Sequence, residues 1–198
     1  QPDQPSPYSQ TSNEQRTVSI FKAYDIRGTY PDQIDAKNAF RIGAAMVRFL
    51  SAKRLVVGRD MRTMAPEITD AVIEGMMSQG CDVVDIGLTS TPMVYFGIGK
   101  IECDGGMVVT ASHNPKQYIG FKMCRAEARP LSGDSGIKDI EEMVLNADLS
   151  PTGTKGKREQ VDLMEDWCAH IASFARDIKP MKVCVDYANG MGANESPE

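Results

Sequence analysis

Short apolar runs alternate along the chain with longer segments in which apolar residues recur every three or four positions. Val18–Phe21, Leu55–Val57, Val83–Ile86, Met107–Val109 and Gly120–Cys124 are runs of strand length. Between them, Phe40, Gly43, Ala44, Val47 and Leu50 share one face of a helix expected over about 35–51. A second helix is expected from near Pro66, a residue suited to a first helical turn, with Ile68, Val72 and Met76 inward and Gly80 at its stop. A third is expected over about 92–99, and a fourth over about 134–146 with Ile137, Ile140 and Val144 inward. Strands alternating with amphipathic helices predict an α/β fold, a three-layer domain with a mostly parallel sheet. Met107–Val109 and Gly120–Cys124 lie close enough in sequence for a hairpin, which makes the expected sheet mixed.

The same pattern divides the chain. Residues 1–17 are rich in Pro, Gln, Ser and Asn and read as a disordered tail, because they hold too little apolar surface to offset the entropy of ordering. Residues 18–146 carry the layered domain, and 147–160, polar with Pro and Gly, read as a linker. Beyond it, Leu163, Trp167, Ile171 and Phe174 recur at helical spacing, and Lys182–Asp186 has a strand pattern closed by Gly190 and Gly192. Residues 161–198 therefore read as the helix and first strand of a second, truncated α/β domain.

Composition narrows the function classes. A formal net charge of −5 argues against nucleic acid as a partner, since the chain has no overall basic field. No run approaches the roughly 20 apolar residues of a membrane span. Five widely spaced cysteines form no CxxC or Cys/His cluster, and most sit in or beside apolar runs, so reduced core thiols are expected. With no charged-then-apolar leader, these features point to a cytoplasmic protein.

Candidate chemistry collects where strands end. Gly58–Arg62, Gly87–Pro92 and Thr110–Pro115 each follow a predicted strand, and ligands of open α/β sheets bind at that edge. Arg59, Arg62, Ser112, His113 and Lys122 would gather there, with Lys22 and Arg27 nearby. A serine amid cations suits an anionic group, phosphate above all. The blander reading is also open: Thr110, Ser112 and Asn114 are common turn residues that bond their own backbone, and most cations are simply solvated. A serine-hydrolase reading fares worse, because Ser112 lacks the Gly-x-Ser-x-Gly elbow and His113 is its immediate neighbour. Gly190-x-Gly192 is half a dinucleotide fingerprint, Gly153–Lys157 lacks Walker spacing, and His170 reads as a packed or surface histidine.

As a set, Phe21–Gly28, Gly58–Arg62, Thr110–Pro115, Gly120–Lys122 and Ala128–Gly136 resemble, in order, the motifs of the α-D-phosphohexomutases of the bacterial phosphomannomutase/phosphoglucomutase type. The resemblance implies that Ser112 is a phosphorylated serine that gives and takes back a phosphoryl group. His113 and Lys122 would assist proton transfer and stabilise charge, while Tyr24, Arg27 and Arg59 would bind the phosphorylated hexose. It further implies Mg²⁺, ligated through the phosphate on Ser112, and a hexose 1,6-bisphosphate intermediate. The implied reaction moves phosphate between O6 and O1 of mannose; phosphoglucomutase activity and a non-catalytic phosphosugar-binding fragment are the rival readings. The sequence departs from the family at Ile119, where Asn is usual, and it lacks the Asp-rich metal loop of a second domain. The chain would thus hold the first of four domains and the start of the next, and would be inactive alone.

Overall fold

A computed structural model of the chain describes residues 20–196. The expected tail, 1–17, lies outside them. Among the described residues six strands form one sheet: β1 (Ile26–Thr29), β2 (Arg54–Arg59), β3 (Asp82–Leu88), β4 (Gly105–Val109), β5 (Tyr118–Arg125) and β6 (Arg158–Gln160), in the order β1-β5-β4-β2-β3-β6. β4, β2, β3 and β6 are mutually parallel, and β5 runs antiparallel between β4 and β1. The sheet is mixed and mostly parallel, as the apolar pattern predicts.

Alternation along the strands feeds two cores. Leu55 and Val57 of β2, Val83 of β3, and Met107 and Val109 of β4 enter one core. They meet there α1 (Ala36–Leu50), α2 (Ala65–Ser78) and α4 (Ile137–Asn146). The intervening Val56, Val84 and Val108 enter the other, against α3 (Thr91–Lys100) and Leu163, just ahead of α5 (Met164–Ala172). A side-chain period of two on strands buried on both faces is what makes their sequences read as unbroken apolar runs.

The helices begin and end where the local chemistry allows. Asp35 caps α1 by accepting the Asn38 N–H at 2.8 Å, and Ser90 caps α3 by accepting the Met93 N–H at 3.4 Å. Pro66 occupies the first turn of α2 and Pro92 that of α3. α1 and α2 cross closely, because Gly75 lets backbones meet: a Cβ there would stand 2.0 Å from the Phe40 carbonyl oxygen.

Three expectations need correction. Val18 and Ser19 lie outside the described residues, and Phe21 makes only a single bridge to Ile26; the edge strand is Ile26–Thr29, which pairs with β5. The expected linker joins the sheet: Arg158–Gln160 is β6, because Arg158 forms ion pairs with Asp85 of β3 and Asp70 of α2, both at 2.7 Å. Lys182–Asp186 forms no strand. Among the described residues nothing pairs with it, and Val183 and Val185 stay exposed, since a strand pattern without a ladder partner leaves backbone groups to water. α5 forms as expected, and a short helix, α6 (Gly192–Glu195), follows the Gly190 turn.

Candidate active site

The three loops that follow β2, β3 and β4 do share one edge of the sheet. The Asp60 N–H donates to the Val109 carbonyl at 3.0 Å, and the Thr89 N–H to the Arg59 carbonyl at 2.9 Å, which stitches the strand ends together. The loop after β4 carries Ser112 and His113, both exposed.

The polar-turn reading is right for one residue of this loop. Thr110 Oγ1 accepts the Ser112 N–H at 2.9 Å, a turn closed by a side chain. Ser112 itself has φ of 54°, a left-handed conformation that costs an L-residue about 1–2 kcal/mol. Its hydroxyl is not used by the turn and lies 3.3 Å from Nδ1 of His113. Ser112 thus combines a left-handed backbone conformation with an exposed side chain.

Arg27 reaches this loop from β1, and Lys122 stands on the neighbouring strand, β5. Gly120 brings those strands together, because a Cβ there would stand 2.1 Å from the Ile26 carbonyl oxygen. Arg27 donates to Asn114 Oδ1, two residues from Ser112, and to Asp25. Lys122 Nζ lies 3.8 Å from the same Asp25 carboxylate, which is nearly buried. One carboxylate thus holds both cations near the serine loop, and two positive groups to one negative leave a local excess of positive charge. The Nε of Arg27 is buried without a partner. Ile119, the departure from the family motif, is buried opposite Gly28 and belongs to the core.

Tyr24 is 78% exposed, on the segment that leads to Asp25 and Arg27. Arg59 is half-buried at the carboxyl end of β2, next to Asp60. Arg62 is not a free cation: it is half-buried as a residue, and its side chain and that of its ion-pair partner Asp60 are each only 8% exposed. The sequence alone assigns no role to Asp25 or Asp60, and it marks Thr110 and Asn114 only as turn residues. The signal available was a carboxylate two residues before an arginine, in both Asp25–Arg27 and Asp60–Arg62.

Beside Ser112 a cavity of about 160 Å³ opens between the loops, lined among others by Asp60, Thr89, Ser90 and Met191. Ser90 Oγ donates to Glu195 Oε2 at 2.7 Å, and the Ser90 N–H donates to the other carboxylate oxygen. The last described residues therefore lie against this edge, with a carboxylate at the amino end of α3, where the helix dipole favours negative charge.

The residues present do not by themselves fit Mg²⁺, which demands a near-octahedral set of oxygens. Among the described residues there is no group of three or more His, Cys, Asp and Glu that could hold a metal. Asp25 and Asp60, the buried carboxylates of this region, are already tied to Arg27, Lys122 and Arg62. Also among the described residues, no helix is long and apolar enough to cross a membrane.

Comparison with known proteins agrees with this architecture. Residues 18–150 match the model of phosphoglucomutase/phosphomannomutase, alpha/beta/alpha domain I. The phosphomannomutase of Vibrio cholerae is 36% identical over 182 residues, which cover 88% of this chain and 39% of that protein. A protein of Xanthomonas campestris named for phosphohexose mutases is 38% identical over 178 residues, again covering 88% of this chain and 39% of the relative. The crystal structure of a phosphoglucomutase/phosphomannomutase family protein from Burkholderia thailandensis superposes with a TM-score of 0.71 at 33% identity, covering 84% of this chain and 37% of that one. The chain thus spans about two fifths of the length of the curated relatives it matches. By the match over 18–150 and the shared sheet, the chain belongs to the phosphoglucomutase/phosphomannomutase family.

Proposed function

We propose that this chain supplies the phosphoryl-carrying serine of a phosphomannomutase, with Ser112 passing a phosphoryl group to and from a hexose monophosphate. The observation that carries the reading is Ser112 itself: exposed, in a left-handed conformation, its hydroxyl beside His113 and its loop tied to Arg27. A phosphate on Ser112 would carry roughly −1.5 to −2 charges, which the excess positive charge of Arg27 and Lys122 is placed to offset.

In the proposed step the bond from phosphorus to the Ser112 oxygen breaks and that oxygen takes up a proton. A new bond forms to a hydroxyl oxygen of the sugar, whose proton leaves to a base. The resulting mannose 1,6-bisphosphate turns over in the site and returns its other phosphoryl group to Ser112, which interconverts mannose 6-phosphate and mannose 1-phosphate. His113, 3.3 Å from Ser112 Oγ, carries the proton of the serine. Arg27 and Lys122 stabilise the transferred group, and Tyr24 and Arg59 line the approach of the phosphosugar. Such transfer is mainly positioning and electrostatics, which suits a site with no strong nucleophile. Mg²⁺ belongs to the proposal with one ligand from a Ser112 phosphate and the rest from outside the described residues.

Intact-mass measurement before and after phosphatase, on protein from its natural host and on Ser112→Ala, tests this directly. A phosphoryl adduct lost in the variant is expected; native protein that never carries one, and takes none from hexose 1,6-bisphosphate at full length, refutes the assignment. Comparative kinetics on mannose and glucose phosphates separates phosphomannomutase from phosphoglucomutase, and binding without turnover at full length would favour a non-catalytic role.

A further inference from the structure

We propose that Asp60, Arg62 and Thr110 are positioning residues that hold Ser112 in its left-handed conformation and so keep its hydroxyl aimed out of the loop. This rests on reading Ser112 as the phosphoryl carrier, but its geometry stands on the loop alone. Arg62 has five N–H donors on its guanidinium, and all five are used. Nε donates to Asp60 Oδ2 at 3.2 Å; Nη1 donates to the carbonyls of Pro115 at 2.9 Å and Tyr118 at 3.1 Å; Nη2 donates to those of Ser112 and Asn114, each at 2.8 Å. One side chain therefore gathers three carbonyls of the loop and that of Tyr118, the first residue of β5.

Asp60 does the rest. Its carboxylate has no proton to give, so the 2.7 Å bond with Thr110 Oγ1 makes the threonine hydroxyl the donor. That orientation leaves the threonine lone pairs free to accept the Ser112 N–H at 2.9 Å. Asp60 Oδ1 also accepts the Arg62 N–H at 3.1 Å, which locks the clamp to the end of β2. Ser112 is thus held on both sides of its Cα: its N–H by the Asp60–Thr110 relay and its carbonyl by Arg62. The ion pair makes the clamp neutral, so Arg62 is a poor candidate for binding the substrate anion and a good one for fixing the serine against which that anion reacts. Lysine has three donors and no planar fork, so it does not replace arginine here.

The test pairs Thr110→Val, which keeps the shape and removes the hydroxyl, with Thr110→Ser, which restores the hydroxyl. Amide hydrogen exchange of Ser112 is measured in the 198-residue chain, and mutase turnover on the protein at full length. We expect Thr110→Val to speed Ser112 exchange and to lower kcat about 10- to 100-fold, with KM changed less than about twofold, because misplacement acts on the reacting geometry rather than on binding. Thr110→Ser should restore both, and Arg62→Lys should act like Thr110→Val. Ser112 exchange at the wild-type rate in Thr110→Val overturns the proposal, and so does lost turnover without faster exchange. A rise in KM at unchanged kcat overturns it as well. If wild-type protein shows no phosphoserine, the reading of Ser112 fails, while the exchange measurement still decides whether the clamp holds the loop. If Arg62→Lys does not fold, the two Thr110 variants carry the test.

Discussion

Arg158 decides whether the segment after the layered domain is a linker or part of the sheet, and Arg158→Met is the perturbation that measures it. Arg158 reaches Asp85 on β3 with Nε at 3.1 Å and Nη2 at 2.7 Å, and Asp70 on α2 with Nη1 at 2.7 Å. The Asp85 side chain is only 5% exposed, while Arg158 is 33% exposed. Removing the cation leaves Asp85 with the Gly87 N–H at 2.9 Å but no opposite charge. Orphaning a buried carboxylate costs about 3–5 kcal/mol in full. Because Arg158 is one-third open to water, solvent fills part of the vacated place, and about 2–3 kcal/mol is expected, near the value of a hydrogen bond to a charged group. Asp85→Asn keeps the volume and the Gly87 bond but turns an NH2 towards the Arg158 donors; with Arg158 retaining Asp70 and free to swing towards water, it should cost about 1–2 kcal/mol. The double variant should cost less than the sum, since each change removes the same interaction. Urea unfolding of the four chains gives these values, and amide exchange at Lys157–Val161 reports the detachment of β6. A loss below about 0.5 kcal/mol for Arg158→Met, the range of an ordinary surface change, would refute the argument and return the segment to a linker. So would Asp85→Asn proving the more harmful variant.

Three further outcomes follow from burial. Gly75→Ala drives a Cβ to 2.0 Å from the Phe40 carbonyl oxygen, so α1 and α2 must part, at a cost of about 1–3 kcal/mol seen as a lowered melting temperature. Burial pushes the Cys81 thiol up to about 12 and Cys124 to about 11, while Cys184 is exposed. A thiol reagent at mild alkaline pH should therefore label Cys184 at once and the two buried thiols only on unfolding. Stability follows the same shift: these thiols begin to ionise in the unfolded chain near the ordinary value of 9.0 but stay protonated when folded. Their contribution is complete below pH 9 and is lost as pH rises towards 12, so urea midpoints should fall across that window.

Much of this protein is written locally. The apolar runs around Val56, Val84 and Val108 mark strands buried on both faces, and Asp35, Pro66, Ser90 and Pro92 mark helix starts, because caps and periodicity depend on residues only a few positions apart. The serine loop was legible for the same reason, as a polar turn breaking a buried strand. Tertiary structure decided what each charge does. Arg62 looks like one more cation near a serine, but partners drawn from Asp60 and from four carbonyls some fifty residues on turn it into a clamp. Arg158 sits in a polar segment without strand pattern and enters the sheet through Asp85 and Asp70, 73 and 88 residues away. Lys182–Asp186 has the pattern and stays out, since no neighbour among the described residues offers a ladder. Periodicity is a property of a short stretch of chain, whereas strand pairing and charge neutralisation need a second stretch, and only folding brings that one near.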